Sequence, residues 1–202
     1  DGLGDQYRFG MPGAEVDASE LENLIDVINS LEQRPEYLVL SGSLQSSIPV
    51  DFYAKISGRA KELGIKVILD TVGLPLEQTL NEGVFMIKPN ISELFDLAGH
   101  DEVDYSKFAE IARELILAGK TEVVVISMGS DGAAMVTKDE LFRAVPPPTE
   151  CKSTVGAGDS MVGGIVLSLS RNEGFEKALQ LGVSSGTAAT MNEGTSLCQK
   201  KD

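Results

Sequence analysis

The chain has 202 residues, 42% hydrophobic and 24% charged, a balance suited to one sizeable soluble core. Seventeen basic against 31 acidic side chains leave a net charge of −14, which argues against nucleic acid and anionic membranes as partners and is met most simply by a solvated acidic surface. Two cysteines, Cys151 and Cys198, and one histidine, His100, are too few for a disulfide framework, a zinc cluster or a Ser-His-Asp triad.

No apolar run approaches bilayer length, and no basic-then-apolar signal stretch opens the sequence, so a reduced, cytoplasmic setting without membrane contact is expected. Tyr37 to Leu40 is a short apolar run, followed by helical patterning from Asp51 to Leu63. Ile65 to Leu69 and Val84 to Ile87 are further strand-like runs. Helical patterning from Tyr105 to Leu117 then precedes a fourth run, Val123 to Ile126. Continuous apolar strands separated by helices predict a parallel sheet covered on both faces. Ala133 to Thr137 and Leu141 to Val145 flank Lys138-Asp139-Glu140, the pattern of a β-hairpin. Pro146-Pro147-Pro148 forces an extended connection, and helices are expected over 157–170 and 175–191. No internal repeat or low-complexity region is present.

The polar groups of interest fall just after strands: Ser41-Gly42-Ser43, Asp70, Lys88-Pro89-Asn90 and Ser127-Met128-Gly129. Ligands of open parallel sheets bind at the carboxyl ends of strands, so these groups should converge on one edge.

The densest signal is Ser153-Thr154-Val155-Gly156-Ala157-Gly158-Asp159-Ser160, which runs into an apolar helical segment. Its glycines permit a tight turn, and the helix start adds several N–H groups and a positive end, together a seat for phosphate. Asp159 at the edge of that seat is not explained by anion binding, since like charges repel; a base for an attacking hydroxyl explains it, which reads as phosphoryl transfer. The bland alternative is a glycine turn before a helix with an acidic first turn. The loop is neither a dinucleotide fingerprint, whose third glycine would fall on Met161, nor a Walker loop.

Other motifs carry two readings. Asn90 with Glu93 has capping-box spacing before a helix over 91–98, yet Lys88 could meet a nucleotide phosphate and Glu93 could orient water around magnesium. Asp70 suits either a turn or an indirect metal role. The stretch 127–132 is a turn between adjacent strands, whose glycines also admit a flat base or ribose. Asn192-Glu193-Gly194-Thr195 is a helix end with its glycine stop, and its carbonyls also suit a monovalent cation.

Ser153–Gly164 (STVGAGDSMVGG) closely resembles the second signature of the ribokinase-like, PfkB-type sugar kinases. KPNISEL at 88–94, SGSL at 41–44 and VVISMGSDG at 124–132 resemble its other landmarks, in the family's order, so the resemblance covers nearly the whole chain. QYRFGMPG at 6–13 and GTAATMNEGTSLC at 186–198 look most like the 6-phosphofructokinase branch, with the 1-phosphofructokinase and tagatose-6-phosphate kinase branches as alternatives.

The resemblance implies a ribokinase-like three-layer α/β/α fold with a mostly parallel sheet. It implies residues 1–13 as a remnant of a lid-bearing segment, 14–202 as the nucleotide-binding core, and the N-terminal portion and most of the lid as missing. It further implies a kinase acting with ATP and Mg2+ on a sugar phosphate, with K+ as a further cofactor and a homodimer as the full-length state. Asp159 would be the base, also facing substrate, and Gly156, Ala157 and Gly158 the anion hole. Lys88, Asn90, Ser127, Gly129, Gly132, Val183 and Thr187 would line the nucleotide site, with Thr154 near its phosphates. Ser43 would touch the sugar phosphate, and Glu93 and Asp70 would act on magnesium, largely through water. Carbonyls of Ser153, Val155, Ala189 and Gly194, with Asn192, would surround potassium. Two departures stand out: Gln45-Ser46-Ser47 replaces the usual prolines and glycine after SGSL, and Ser196 stands where close relatives carry arginine. The competing class is a non-catalytic nucleotide-binding module; a water-activating NTPase has only the phosphate seat in its favour.

Overall fold

The computed structural model describes residues 13–100 and 102–199. Expectations for 1–13, the QYRFGMPG match and the lid remnant, lie outside the described residues except at Gly13. Six strands form one sheet in chain order: β1 (Tyr37–Ser41), β2 (Lys66–Asp70), β3 (Val84–Ile87), β4 (Thr121–Ser127), β5 (Ala133–Val136) and β6 (Leu141–Ala144). The first four are parallel, and β5 and β6 are added antiparallel through two tight turns. The helices are α1 (Ala18–Asn29), α2 (Phe52–Glu62), α3 (Leu74–Thr79), α4 (Ile91–Leu97), α5 (Phe108–Leu117), α6 (Ala157–Ser170) and α7 (Phe175–Thr190).

Alternation along the strands divides the interior in two. Val67, Leu69, Ile87, Val124, Ile126, Ala134 and Val136 join a core with residues of α2 to α5. Their neighbours Ile68, Met86, Val123, Val125, Ala133 and Met135 join a second core with residues of α6 and α7. Parallel strands laid down in sequence by right-handed crossovers put α2 to α5 on one face. The other face is covered by α6 and α7, giving the expected three layers.

Where α6 and α7 meet, backbone packs against backbone. A Cβ on Gly164 would stand 2.8 Å from the Leu181 carbonyl oxygen, and one on Gly186 would stand 3.0 Å from that of Ala157. The second contact fixes the start of α6, and so the glycine loop, against α7.

The strand expectations agree with the structure, including the hairpin at Lys138–Glu140. The helix expected from Tyr105 begins at Phe108, because the Ser106 N–H and hydroxyl both donate to Asp104 Oδ1 (2.9 and 2.7 Å) and hold a turn there. Neither α1 nor α3 was expected. β3 is buried throughout whereas β1, at the sheet edge, leaves Val39 39% exposed. Among the described residues no helix is long and apolar enough to cross a membrane.

Candidate active site

The parallel register sets the carboxyl ends of β1 to β4 along one edge. Ser41 pairs with Asp70, the Gly42 N–H donates to the Asp70 carbonyl (3.0 Å), and the Ser127 N–H donates to that of Pro89 (3.0 Å), with Asn90 and Ser127 bridged. The four polar groups therefore converge as their positions after strands require.

Asp70 ends β2, and Lys88 follows β3. Lys88 Nζ lies 3.2 Å from Asp70 Oδ1, with side-chain exposures of 10% and 19%. Burial disfavours the charged carboxylate and pushes the Asp70 pKa above its ordinary value; Lys88 opposes this, while the negative charges of Asp159 and Glu93 add to it. Two further carboxylates thus act on Asp70 beside its lysine. The same ammonium reaches under the glycine loop, since a Cβ on Gly158 would stand 3.4 Å from Lys88 Nζ. Glycine there permits the close approach.

Gly156 caps α6 in the left-handed conformation (φ 80°), and the Ser160 N–H closes the first turn on the Gly156 carbonyl at 2.9 Å. Helix-start N–H groups without partners inside the helix are the raw material of an anion site. Asp159 stands exposed in that first turn, and the Ser41 hydroxyl donates to its Oδ1 at 3.4 Å. Beside them a cavity of about 460 Å³ runs between β1 and α6, lined in part by Val39, Val162 and Val166. A larger cavity, about 660 Å³, lies at the opposite end of the strands near Lys66, Phe85 and Phe175. It contains none of the convergent polar groups, so chemistry rather than size locates the site.

The remaining candidates occupy varied surroundings. Glu93 and Asn90 form a complete capping box at α4: the Glu93 N–H donates to Asn90 Oδ1 (2.9 Å) and the Asn90 N–H donates to Glu93 Oε2 (2.8 Å). One N–H uses one of the four acceptor positions of a carboxylate, so the cap leaves Glu93 capacity for water. Gly129 (φ 59°) and Gly132 (φ 82°) shape the turn after β4; Gly129 faces open space, whereas a Cβ on Gly132 would strike the Ala144 carbonyl. Thr154 is exposed beside the loop, Ser43 is exposed beyond β1, and Thr187 donates to the Val183 carbonyl within α7 (2.8 Å). The Val183 side chain packs into the core beneath the sheet.

The cation candidates also come together in part. The Lys152 and Ser153 N–H groups both donate to the Thr190 carbonyl, at 2.8 and 3.2 Å, and the Ser153 hydroxyl donates to the Gly194 carbonyl at 2.6 Å. Two carbonyl-rich segments, 153–155 and 189–194, therefore meet beside the glycine loop, an all-oxygen donor set that fits an alkali cation. Asn192 Nδ2 donates to the carbonyls of Ala188 (3.2 Å) and Leu197 (3.4 Å). Among the described residues no three His, Cys, Asp or Glu side chains stand close enough to hold a metal ion directly. The carboxylates around Lys88 fit a hydrated magnesium ion met through water, the form in which that ion is usually held.

Sequence reasoning singled out Ser43 and passed over the side chains that secure its loop. The Tyr53 hydroxyl donates to the carbonyls of Ser41 (3.0 Å) and Gly42 (3.3 Å), and that of Thr71 donates to the Gly42 carbonyl (2.8 Å). Nothing in their spacing marks them; an isolated Tyr on an amphipathic helix reads as core.

Comparison with known proteins accords with this fold. Residues 8–202 match the pfkB family carbohydrate kinase model. The chain is 38% identical over 200 residues to ATP-dependent 6-phosphofructokinase isozyme 2 of Escherichia coli, covering 98% of this chain and 64% of that protein. It is 32% identical over 190 residues to the 1-phosphofructokinase of Bacillus subtilis, covering 94% of this chain and 62% of that one. The chain thus spans somewhat under two thirds of the length of these relatives. The crystal structure of E. coli phosphofructokinase-2 with potassium superposes with a TM-score of 0.91 at 37% identity, over 98% of this chain and 64% of that one. Arabidopsis thaliana ribokinase with ribose and ATP, at 20% identity and a TM-score of 0.71 over 93% of this chain and 58% of that one, shares the fold.

Proposed function

The chain belongs to the pfkB family of carbohydrate kinases, and we propose that the protein containing it transfers the γ-phosphoryl group of ATP to a sugar phosphate. The acceptor proposed is the 1-hydroxyl of fructose 6-phosphate, giving fructose 1,6-bisphosphate. The observation that carries this reading is the placement of Asp159 in the first turn of α6, between the glycine seat and the Ser41 edge. A carboxylate in that position takes the proton of the attacking hydroxyl. The hydroxyl oxygen forms the new bond to the γ-phosphorus, the bond from that phosphorus to the bridging oxygen breaks, and ADP leaves.

The N–H groups at Gly156, Ala157 and Gly158 would meet the charge that gathers on the transferring group, that of Ala157 giving up a long 3.4 Å bond to the Thr154 carbonyl. Lys88, held by Asp70 and pressed under Gly158, adds a fixed positive charge beside the seat. Magnesium bound with ATP would neutralise phosphate charge, with Asp70 and Glu93 holding its water shell. Carbonyls of Ser153, Val155, Ala189 and Gly194, with Asn192, would hold potassium; the E. coli structure with potassium supports the choice of ion. Gly129, Gly132 and Thr187 belong to the proposed nucleotide side and Ser43 to the sugar-phosphate side, whereas the Val183 side chain is taken up by the core. The 6-phosphofructokinase reading is supported by the relative at 38% identity and by a superposed E. coli structure with fructose-6-phosphate. Relatives named 1-phosphofructokinase and tagatose-6-phosphate kinase favour the alternative acceptors fructose 1-phosphate and tagatose 6-phosphate.

The test is an ADP-formation assay of the complete protein with Mg-ATP and these three sugar phosphates. Clear preference for fructose 6-phosphate supports the reading; preference for another sugar moves the assignment to that branch. Asp159→Asn lowers kcat by ~10²–10⁴ if the aspartate is the general base. Turnover within tenfold of wild type rules that role out.

A further inference from the structure

We propose that Ser41 is a positioning residue for Asp159, and that Tyr53 and Thr71 form the clamp that makes it one. The proposal rests on the reading of Asp159 as the base.

The geometry begins with the base itself. Asp159 is exposed, and the Ser41 hydroxyl reaches its carboxylate from the end of β1. An exposed carboxylate on a helix turn rotates freely about its last side-chain bond. A hydroxyl donating to Oδ1 selects one orientation and leaves Oδ2 to accept the proton of the sugar. At 3.4 Å the bond is long, as catalytic hydrogen bonds often are before substrate binds.

Such a contact positions only if its donor is itself held. The backbone of Ser41 and Gly42 is held from three directions, by the hydroxyls of Tyr53 and Thr71 and by strand β2. Tyr53, on α2 in the helix layer, donates to both carbonyls. Thr71, just beyond β2, donates to the Gly42 carbonyl, and the Gly42 N–H donates to Asp70 in return. Gly42 adopts φ 96° although a Cβ there would meet nothing within 4 Å. Its glycine is thus a matter of conformation rather than space: the left-handed turn aims successive carbonyls at one phenol. Tyr53 and Thr71 approach no reacting group directly in this arrangement; their hydroxyls serve the strand end that carries Ser41. A strand terminus needing only to turn would not require two side-chain hydroxyls on two residues.

The experiment uses the complete protein and steady-state kinetics of Ser41→Ala, Ser41→Thr, Tyr53→Phe, Asp159→Asn and the double variant Ser41→Ala/Asp159→Asn. Ser41→Ala lowers kcat about tenfold, the scale of a hydrogen bond to a charged group, with KM for both substrates within twofold. Ser41→Thr keeps the hydroxyl on a residue suited to a strand and recovers most of the loss. Tyr53→Phe, which removes one oxygen from the clamp, lowers kcat about threefold in the same pattern. In the Asp159→Asn background Ser41→Ala adds nothing, because its effect acts through the carboxylate.

The proposal is overturned if Ser41→Ala changes KM rather than kcat, if threonine does not rescue, or if the loss persists undiminished in the double variant. Should Ser41→Ala fail to fold, Tyr53→Phe decides by the same split of kcat against KM. Retained turnover in Asp159→Asn alone refutes the base reading instead, so the two failures are told apart.

Discussion

Two helices of this molecule begin with the same device, in very different company. At α1, Asp17 accepts from the N–H groups of Ser19 (2.8 Å) and Glu20 (3.0 Å) while Glu20 reaches back to the Asp17 N–H (3.0 Å), all in solvent. At α4, Asn90 and Glu93 make the same reciprocal pair, but beside Lys88, Asp70 and the glycine loop. A capping box is therefore no evidence for or against a functional role. The difference lies in what else the acidic member faces: water at Glu20, a partly buried ion pair at Glu93.

The largest effect separating the two boxes is on turnover. Glutamine can replace glutamate in a capping box without losing the bond, so the substitution removes charge alone. In the complete protein Glu93→Gln lowers kcat or raises the magnesium requirement by about 10–100-fold, as expected for a residue acting on a metal through its shell. Glu20→Gln leaves both unchanged. If Glu93→Gln stays within twofold of wild type in both measurements, the α4 box is a cap and nothing more.

A smaller effect tests what the boxes share. Asn90→Ala lowers unfolding stability by about 1 kcal/mol, the usual cost of a lost N-cap. Asp17→Ala lowers it in the same direction, and thermal melts should place both below wild type. The comparison fails if only one cap registers.

The subtlest contrast is in pH. The Asp17 carboxyl is held below its ordinary pKa, first by the Ser19 hydroxyl and then by the Glu20 N–H, so its contribution is present at neutral pH and fades as pH falls through the lowered value. Asp70 is shifted the other way by burial. Its contribution is fullest below the ordinary carboxylate pKa and is lost as pH rises through the raised value. Melting temperatures against pH should therefore show the advantage of wild type over Asp17→Ala growing with pH. The advantage of wild type over Asp70→Asn should shrink over the window above the ordinary pKa. Parallel curves would mean that the two carboxylates do not differ in environment.

The sheet and the helices α2, α4, α5, α6 and α7 were legible because buried parallel strands and long helices write unmistakable periods into the chain. α1 escaped although Asp17 and Glu20 spell its start, because most of its residues face solvent and only Ile28 is buried. α3 has six residues with a proline in the first turn, too short to establish a period. At the site, the glycine loop and Asp159 were legible because backbone conformation restricts residue type. Lys88 and Asp70 were readable as strand-end residues, but their pairing depends on register between β2 and β3. Tyr53 and Thr71 left no trace, since a hydroxyl that clamps a loop looks in sequence like any other.

Each strand of the sheet neighbours the strand before it, so every strand pairing closes only the one connection that separates it from its predecessor. The Ser41–Asp159 contact is of another kind, spanning 118 positions. It can form only once α6 lies beside β1. The hydroxyl and carboxylate at the heart of the proposed chemistry would then be among the last groups to find each other as the chain folds, and among the first to part when α6 loosens.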